Sequence, residues 1–391
     1  LSLERIRHDM MFLAGQLMHR SAQTQEERRA AEYLLARFKE YTKDAEIDDF
    51  FSIDNFSYLF ASYYGEFLVV ALFAFWWPLM AGLYGMGILI AYLAEFLGFT
   101  VFSRFMPHYE TQNVMARFLA PKPEYTFIIT AYYDSGCASP LTEPERVRWI
   151  RPIHHLVLFC MVIVTASCFT EALGVFTETT QPFALYARWA SVLFLVSAAA
   201  VLFLASAQTD DIRGANNNAS GTAALLHLAE RFAGQPLQTA DVWLVAAGSH
   251  EAWMSGIHRL LKTGRLDREH TYILNLEAVG AGTLHYLTGE GLLHLMPSSK
   301  VMVAAAEKVC VNYEVTPAVL RHVPSAMHIP LAHGYKAMSI MGLDKNRFPV
   351  HWNCVNDLVT AVEEPMIERA AMFAESALRQ LHADLQNTVY S

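Results

Sequence analysis

Polar residues stand at the ends of three short apolar runs: Tyr132 and Asp134 in TFIITAYYD, the pair His250 and Glu251 in DVWLVAAGSHE, and Glu277 in TYILNLEAVG. A loop, GANNNASG, carries Asn216, Asn217 and Asn218, and a late turn, HWNCVND, carries His351. Carboxylates and imidazoles are the side chains that hold a divalent cation or move a proton. An imidazole with its ordinary pKa of about 6.5 suits a general base, which makes His250 the candidate for that role. Plainer roles exist for each residue. Loop asparagines are common turn formers, Asp134 fits a buried carboxylate satisfied by backbone amides, and Glu277 and His351 could bond one another or Tyr132.

The elements that must position these residues follow from the pattern. The three apolar runs read as buried parallel strands. GIHRLLKTGRL reads as a helix between the last two, and EERRAAEYLLARFKEY is an amphipathic helix with Glu and Arg on its polar face. Strand and helix alternate, so the expected fold is α/β: a mostly parallel central sheet flanked by helices, with the motifs at strand ends.

Six segments in order carry a resemblance: RSAQTQEERRAAEYL, IITAYYDSG, GANNNASGTAALLHLAERF, LVAAGSHEAWMSG, ILNLEAVG and HWNCVND. Together they resemble the zinc aminopeptidase family that includes bacterial leucyl aminopeptidases, glutaminyl cyclases and the transferrin receptor ectodomain. The resemblance implies a two-zinc site at the carboxyl ends of the strands, where the metals polarise the scissile carbonyl and lower the pKa of a water. Carried over residue by residue, half of that set is missing. Tyr132 stands where the family has a ligating His, Asn217 where it has the bridging Asp, and His250 where it has the proton-accepting Glu. Glu251, Glu277 (in place of Asp) and His351 remain at ligand positions, and Asp134 keeps the neighbouring family Asp. Trp253 replaces the Gly that follows the family's acidic pair, and SAMH, ending at His328, stands where the family has S-D-H. A neutral amide between two dications leaves their repulsion unscreened. The expectation is therefore no metal cofactor, with a single zinc held by Glu251 and His351 as the alternative.

The rest of the chain is unusually apolar. Of 391 residues, 53% are hydrophobic and 17% charged, with a mean hydropathy of +0.22, where soluble domains carry about a quarter charged residues. Lys plus Arg number 29 against 38 for Asp plus Glu, so no basic surplus suggests nucleic acid. The five cysteines lack any C-x-x-C spacing and suggest no disulfide framework. The opening LSLERIRHDM is charged and contains no signal-peptide core. Two regions exceed the roughly 20 apolar residues of one bilayer crossing. The expected organisation is an aminopeptidase-like domain from residues 1–54, 105–151 and 209–391, with transmembrane hairpins at 55–104 and 152–208.

If the three domain segments share one side of a bilayer, each insertion crosses an even number of times. Four helices are expected, about Ser57 to Trp77, Met80 to Ser103, Pro152 to Thr170 and Trp189 to Gln208. Arg104, Arg146, Arg148, Arg151 and Arg213 flank the domain side against Arg188 alone distally, which places the domain in the cytoplasm. Two functions follow: a membrane-anchored, catalytically inactive scaffold whose partners are the lipid bilayer and other membrane-protein subunits, or a metal-dependent hydrolase using one ion with His250 as base.

Overall fold

The computed structural model describes residues 2–175, 177–264 and 266–389. The chain opens with α1 (Ser2–Met10), α2 (Gln25–Lys39) and β1 (Ala45–Ile53). It departs through α3 (Phe56–Phe73) and α4 (Pro78–Phe96), then returns as β2 (His108–Phe118), β3 (Tyr125–Tyr132) and β4 (Cys137–Ala138). A second departure runs through α5 (Pro144–Val147), α6 (Ile150–Ala172) and α7 (Gln181–Ala207), and β5 (Asp210–Asp211) brings the chain back. There follow α8 (Gly221–Gly234), β6 (Ala240–Ala247), α9 (Ser255–Thr263), β7 (Thr271–Glu277), β8 (Thr283–Glu290), β9 (Met296–Pro297), α10 (Lys300–Val309), β10 (Thr316–Leu320), α11 (His328–Ala332), β11 (Lys336–Leu343) and α12 (Glu364–Val389). Contacts divide the chain into two units. One comprises residues 1–54, 108–143 and 210–391, and the other 55–107 and 144–209.

In the first unit the sheet order is β1-β2-β6-β3-β7-β11-β8-β10, with β9 beside β8. The neighbours β6, β3, β7 and β11 run parallel, while β1–β2, β2–β6 and β11–β8 are antiparallel. The sheet is mixed around a parallel core. Its strands earn that position by composition: Phe127, Ile128, Ile129 and Ala131 of β3, and Ile273, Leu274 and Leu276 of β7, have no exposed surface. Both faces are therefore covered. α8 lies wholly buried along Ala223, Ala224, Leu225, Leu228, Ala229 and Phe232, its small residues letting it pack close to the sheet. α12 buries Ile367, Ala370, Ala371, Ala374, Ala377, Leu378 and Leu381, the i, i+3, i+4 stripe of an amphipathic helix. α2 starts at Thr24, whose side chain accepts from Glu27 N.

Among its described residues the second unit carries four long apolar helices. Phe56–Phe73, Pro78–Phe96, Glu145–Ala172 and Gln181–Ala207 are each long and apolar enough to cross a membrane. Their bounds differ from those expected. α4 begins with Pro78 in its first turn and stops at Phe96 rather than near Ser103. Glu95 turns the chain there, its carboxylate accepting from Val101 N at 2.9 Å and Phe102 N at 2.8 Å, and Gly98 adopts φ 86°. α7 begins at Gln181, well before Trp189, and so absorbs Arg188. That residue is not a connector charge: it is buried, bonds Ser167 Oγ at 2.8 Å and pairs with Glu171.

Candidate active-site pocket

β3, β6 and β7 are parallel neighbours, so their carboxyl ends open on one edge of the sheet, where ligands bind in open α/β folds. Tyr132 ends β3 and Glu277 ends β7. After β6 the chain turns through Ser249, at φ 48°, to present His250 and Glu251. The loop Ala215–Ser220 before α8 supplies Asn217.

The residues at the vacated positions bond to each other. Tyr132 and His250 stack with ring centroids 3.7 Å apart and planes 3° from parallel. The Tyr132 hydroxyl donates to Asn217 Oδ1 at 2.5 Å, Asn217 Nδ2 donates to Asn353 Oδ1 at 2.9 Å, and Asn353 Nδ2 donates to Glu251 Oε2 at 3.1 Å. Each group donates to the next, and the chain ends on a carboxyl. Glu277 bonds neither His351 nor Tyr132: Oε2 accepts from Asn275 Nδ2 at 2.9 Å and Ala326 N at 3.2 Å. Burial, and after it the neighbouring Glu277 and Glu251 carboxyls, hold the Tyr132 hydroxyl well above its ordinary pKa, so it keeps its proton and donates. Asp134 is buried as expected but only half served: Oδ2 accepts from Glu251 N at 3.0 Å, while Oδ1 has no hydrogen-bond partner among the described residues. His351 is half-buried at φ 60° and makes no hydrogen bond among the described residues, so it is not joined to this chain.

The asparagine loop is more than a turn. Asn216, Asn217 and Asn218 are fully buried. Asn216 bridges Val350 O and Gly280 N, at 2.7 and 2.8 Å, while Asn218 donates to Leu276 O and accepts from Ala278 N, both at 2.9 Å. Asp357 accepts from the backbone amides of Asn216 and Asn217 at 2.6 and 2.9 Å. Asn353 and Asp357 were not singled out from HWNCVND, nor Arg20 and Glu27 from the first helical segment. The available signal was composition: Asn353 and Asp357 are polar residues in the turn that also carries His351.

Burial governs the charges. It pushes the carboxyls of Glu251, Glu277 and Glu27 up to about 8, and those of Asp134 and Asp357 up to about 6. Burial also pulls His250 down to about 3, so the ring is neutral at pH 7 and too weak a base for the role proposed from its ordinary pKa. The donors present do not fit the family's zinc pair. Both ends of the Asn217 amide are used within the pocket, and among the described residues no three His, Cys, Asp or Glu side chains are grouped to hold a metal ion.

A further buried carboxyl, Glu290, sets an expected pH response. Ser325 donates to it through Oγ at 2.6 Å and N at 3.3 Å, and burial pushes it up to about 7. Because the folded chain holds this proton more tightly than the unfolded one, the contribution to stability is full below about pH 4.5 and is lost as pH rises through about 7. The loss amounts to ~3 kcal/mol. Glu290→Gln is expected to flatten the fall in unfolding midpoint over that window; an unchanged slope would assign the fall to other carboxyls.

Residues 195–377 match the sequence profile of Peptidase family M28. Among solved structures, an aminopeptidase from Aneurinibacillus sp. strain AM-1 superposes with a TM-score of 0.56 at 14% identity, covering 97% of this chain and 93% of that one. A leucine aminopeptidase precursor from Bacteroides thetaiotaomicron gives 0.53 at 12% identity, covering 96% and 94%. Glutaminyl cyclase from the same species gives 0.52 at 13%, covering 96% and 95%. No curated protein matches the chain in sequence. Identities this low speak to fold alone. The profile covers four of the six ordered motifs, and the fold is that of the zinc aminopeptidases and glutaminyl cyclases: residues 195–377 are similar to Peptidase family M28.

Proposed function

We propose that the protein is a membrane-anchored, peptidase-like binding or scaffold subunit that does not hydrolyse peptides. The observation that carries this reading is the bonded chain Tyr132–Asn217–Asn353–Glu251, which joins side chains at the family's ligand positions to one another. The buried His250 stacked on Tyr132 supports it, since burial pulls that imidazole down to about 3 and so makes it a weak proton acceptor. The four apolar helices support anchoring in a bilayer. Arg104, Arg146, Arg148, Arg151 and Arg213 beside the domain segments favour a cytoplasmic domain. Its partners are then lipid and other membrane-protein subunits.

One observation favours a second reading. His351 makes no hydrogen bond among the described residues, which leaves its ring available to one zinc ion together with Glu251. Purified protein is expected to contain no stoichiometric zinc and to release no N-terminal residue from aminoacyl reporters, with or without added zinc. Turnover abolished by His351→Ala would establish the single-ion hydrolase instead. Cysteines introduced at Leu79 and Thr180 are expected to label from the side opposite one at Gln386; labelling from the same side would break the four-crossing topology.

A further inference from the structure

Glu66 lies ten residues into α3, ~15 Å along an 18-residue helix at 1.5 Å per residue, and so near mid-span. It does not face the helix bundle. The buried side of α3 is Leu59, Phe60, Tyr63, Tyr64, Phe67, Val70 and Ala71, whereas Glu66 shares the outer stripe with Ser62, Gly65 and Val69. Its Oε2 accepts from the Tyr84 hydroxyl of α4 at 2.7 Å, and its Oε1 has no hydrogen bond among the described residues. The bond joins the exposed stripes of α3 and α4 on one outer face.

Two neighbours on that face are glycines. A Cβ added at Gly65 or at Gly87 would meet nothing within 4 Å. Gly82 and Gly85 of α4 differ: a Cβ there would come within 3.0 Å of Phe169 and Thr165 respectively, so those two serve packing against α6. A carboxylate facing hydrocarbon at mid-depth costs ~3 kcal/mol, and residues of this kind in membrane helices turn toward protein or water and take a partner. A single tyrosine hydroxyl leaves half of the carboxyl unserved. The complement is a cation or strong donor arriving at the same depth on a helix that the bare glycines allow close.

We propose that this outer face of α3 and α4 docks a transmembrane helix of a different protein, which brings a Lys or Arg side chain to Glu66. The proposal rests on the reading above that the four helices cross a bilayer. A second copy of this chain does not supply the cation. Its four helices hold no Lys and four Arg: Arg146, Arg148 and Arg151 in the first turns of Glu145–Ala172, far from mid-span, and Arg188, which is buried and paired with Glu171.

The test uses full-length protein in the membranes of the cells that make it, with p-benzoylphenylalanine at position 65 or 87, and at Leu193, an exposed residue of α7, as control. Ultraviolet adducts from positions 65 and 87 are expected on a peptide from an apolar, helix-length segment containing Lys or Arg, with none from 193. Glu66→Gln is expected to lower adduct yield about tenfold. Glu66→Lys combined with a change of the partner's cation to Glu is expected to restore it. Adducts to lipid alone, to a second copy, or to a segment without a cation would overturn the proposal, as would unchanged yield in Glu66→Gln. Release of the protein by alkaline carbonate would overturn the membrane reading together with it, whereas retention with lipid-only adducts would overturn the docking alone.

Discussion

Arg20→Met is expected to destabilise the globular unit by ~3–5 kcal/mol, lowering its thermal midpoint in detergent by about 10 °C. The Arg20 guanidinium is completely buried and donates to four backbone carbonyls: Leu13, Tyr133 at 2.7 Å, Arg213 at 2.6 Å and Gly214 at 2.9 Å. It thereby ties the segment after α1 to the end of β3 and to the stretch between β5 and the asparagine loop. Burial pulls its pKa down to about 10, with Asp357 and Asp134 opposing, so the side chain stays charged at pH 7. Methionine fills much of the volume but orphans all four acceptors, each of which costs ~1–3 kcal/mol when left dry. Arg20→Lys should recover only part of the loss, because one ammonium cannot span acceptors that a planar fork reaches. A midpoint within 2 °C of wild type would mean that water replaces the guanidinium and that the four carbonyls are not dry.

Gly221→Ala is expected to cost about 3 kcal/mol for a different reason. Gly221 has ordinary helical φ and ψ, so no backbone strain is involved. A Cβ there would lie 2.4 Å from Leu276 O and 2.5 Å from Asn218 Oδ1. The first is backbone of the central strand β7 and cannot swing aside. The start of α8 must therefore back away, pulling Asn218 from its bonds to Leu276 O and Ala278 N. Hydrogen exchange should show the amides of Gly221 and Ala278 opening, with the edge strands β1 and β10 unaffected. Uniform loss of protection across the sheet would point instead to global destabilisation without the local cause.

These two residues also mark where reading the sequence stops. The buried strands β3, β6 and β7 are legible because continuous apolar runs can sit only inside the sheet, and the motif order places Tyr132, Asn217, His250, Glu251 and Glu277 near one edge. β1 is not legible in the same way. AEIDDFFSI carries adjacent Asp48 and Asp49, satisfied by Arg259 and Arg28 from distant segments. β8, TLHYLTGE, ends on the buried Glu290, a residue that composition assigns to the surface. Asn353 was invisible for a geometric reason. It sits at φ 44° in the late turn, where a Cβ on Gly136 would come within 2.3 Å of its Oδ1. Its place in the chain to Glu251 thus depends on the absence of a side chain far away in sequence. The start of α7 was missed because polar QPFALYAR hid a helix opened by Pro182, which also turned Arg188 from a flank marker into an internal ion pair.

The ladders at the two departure points have a consequence for ancestry and engineering. Ile53 pairs with His108, closing the β1–β2 register, and Ala138 pairs with Asp210 in β4–β5. Facing residues of an antiparallel pair lie about 5 Å apart, a gap that a two-residue Asn-Gly turn closes. Each apolar excursion is therefore an enlarged hairpin loop, inserted between strands whose pairing does not need it. Such loops can be gained or shed by a lineage without shifting the register of any strand. A chain rejoined by short turns at these two points keeps every rung of the sheet and every side chain of the Tyr132–Glu251 chain.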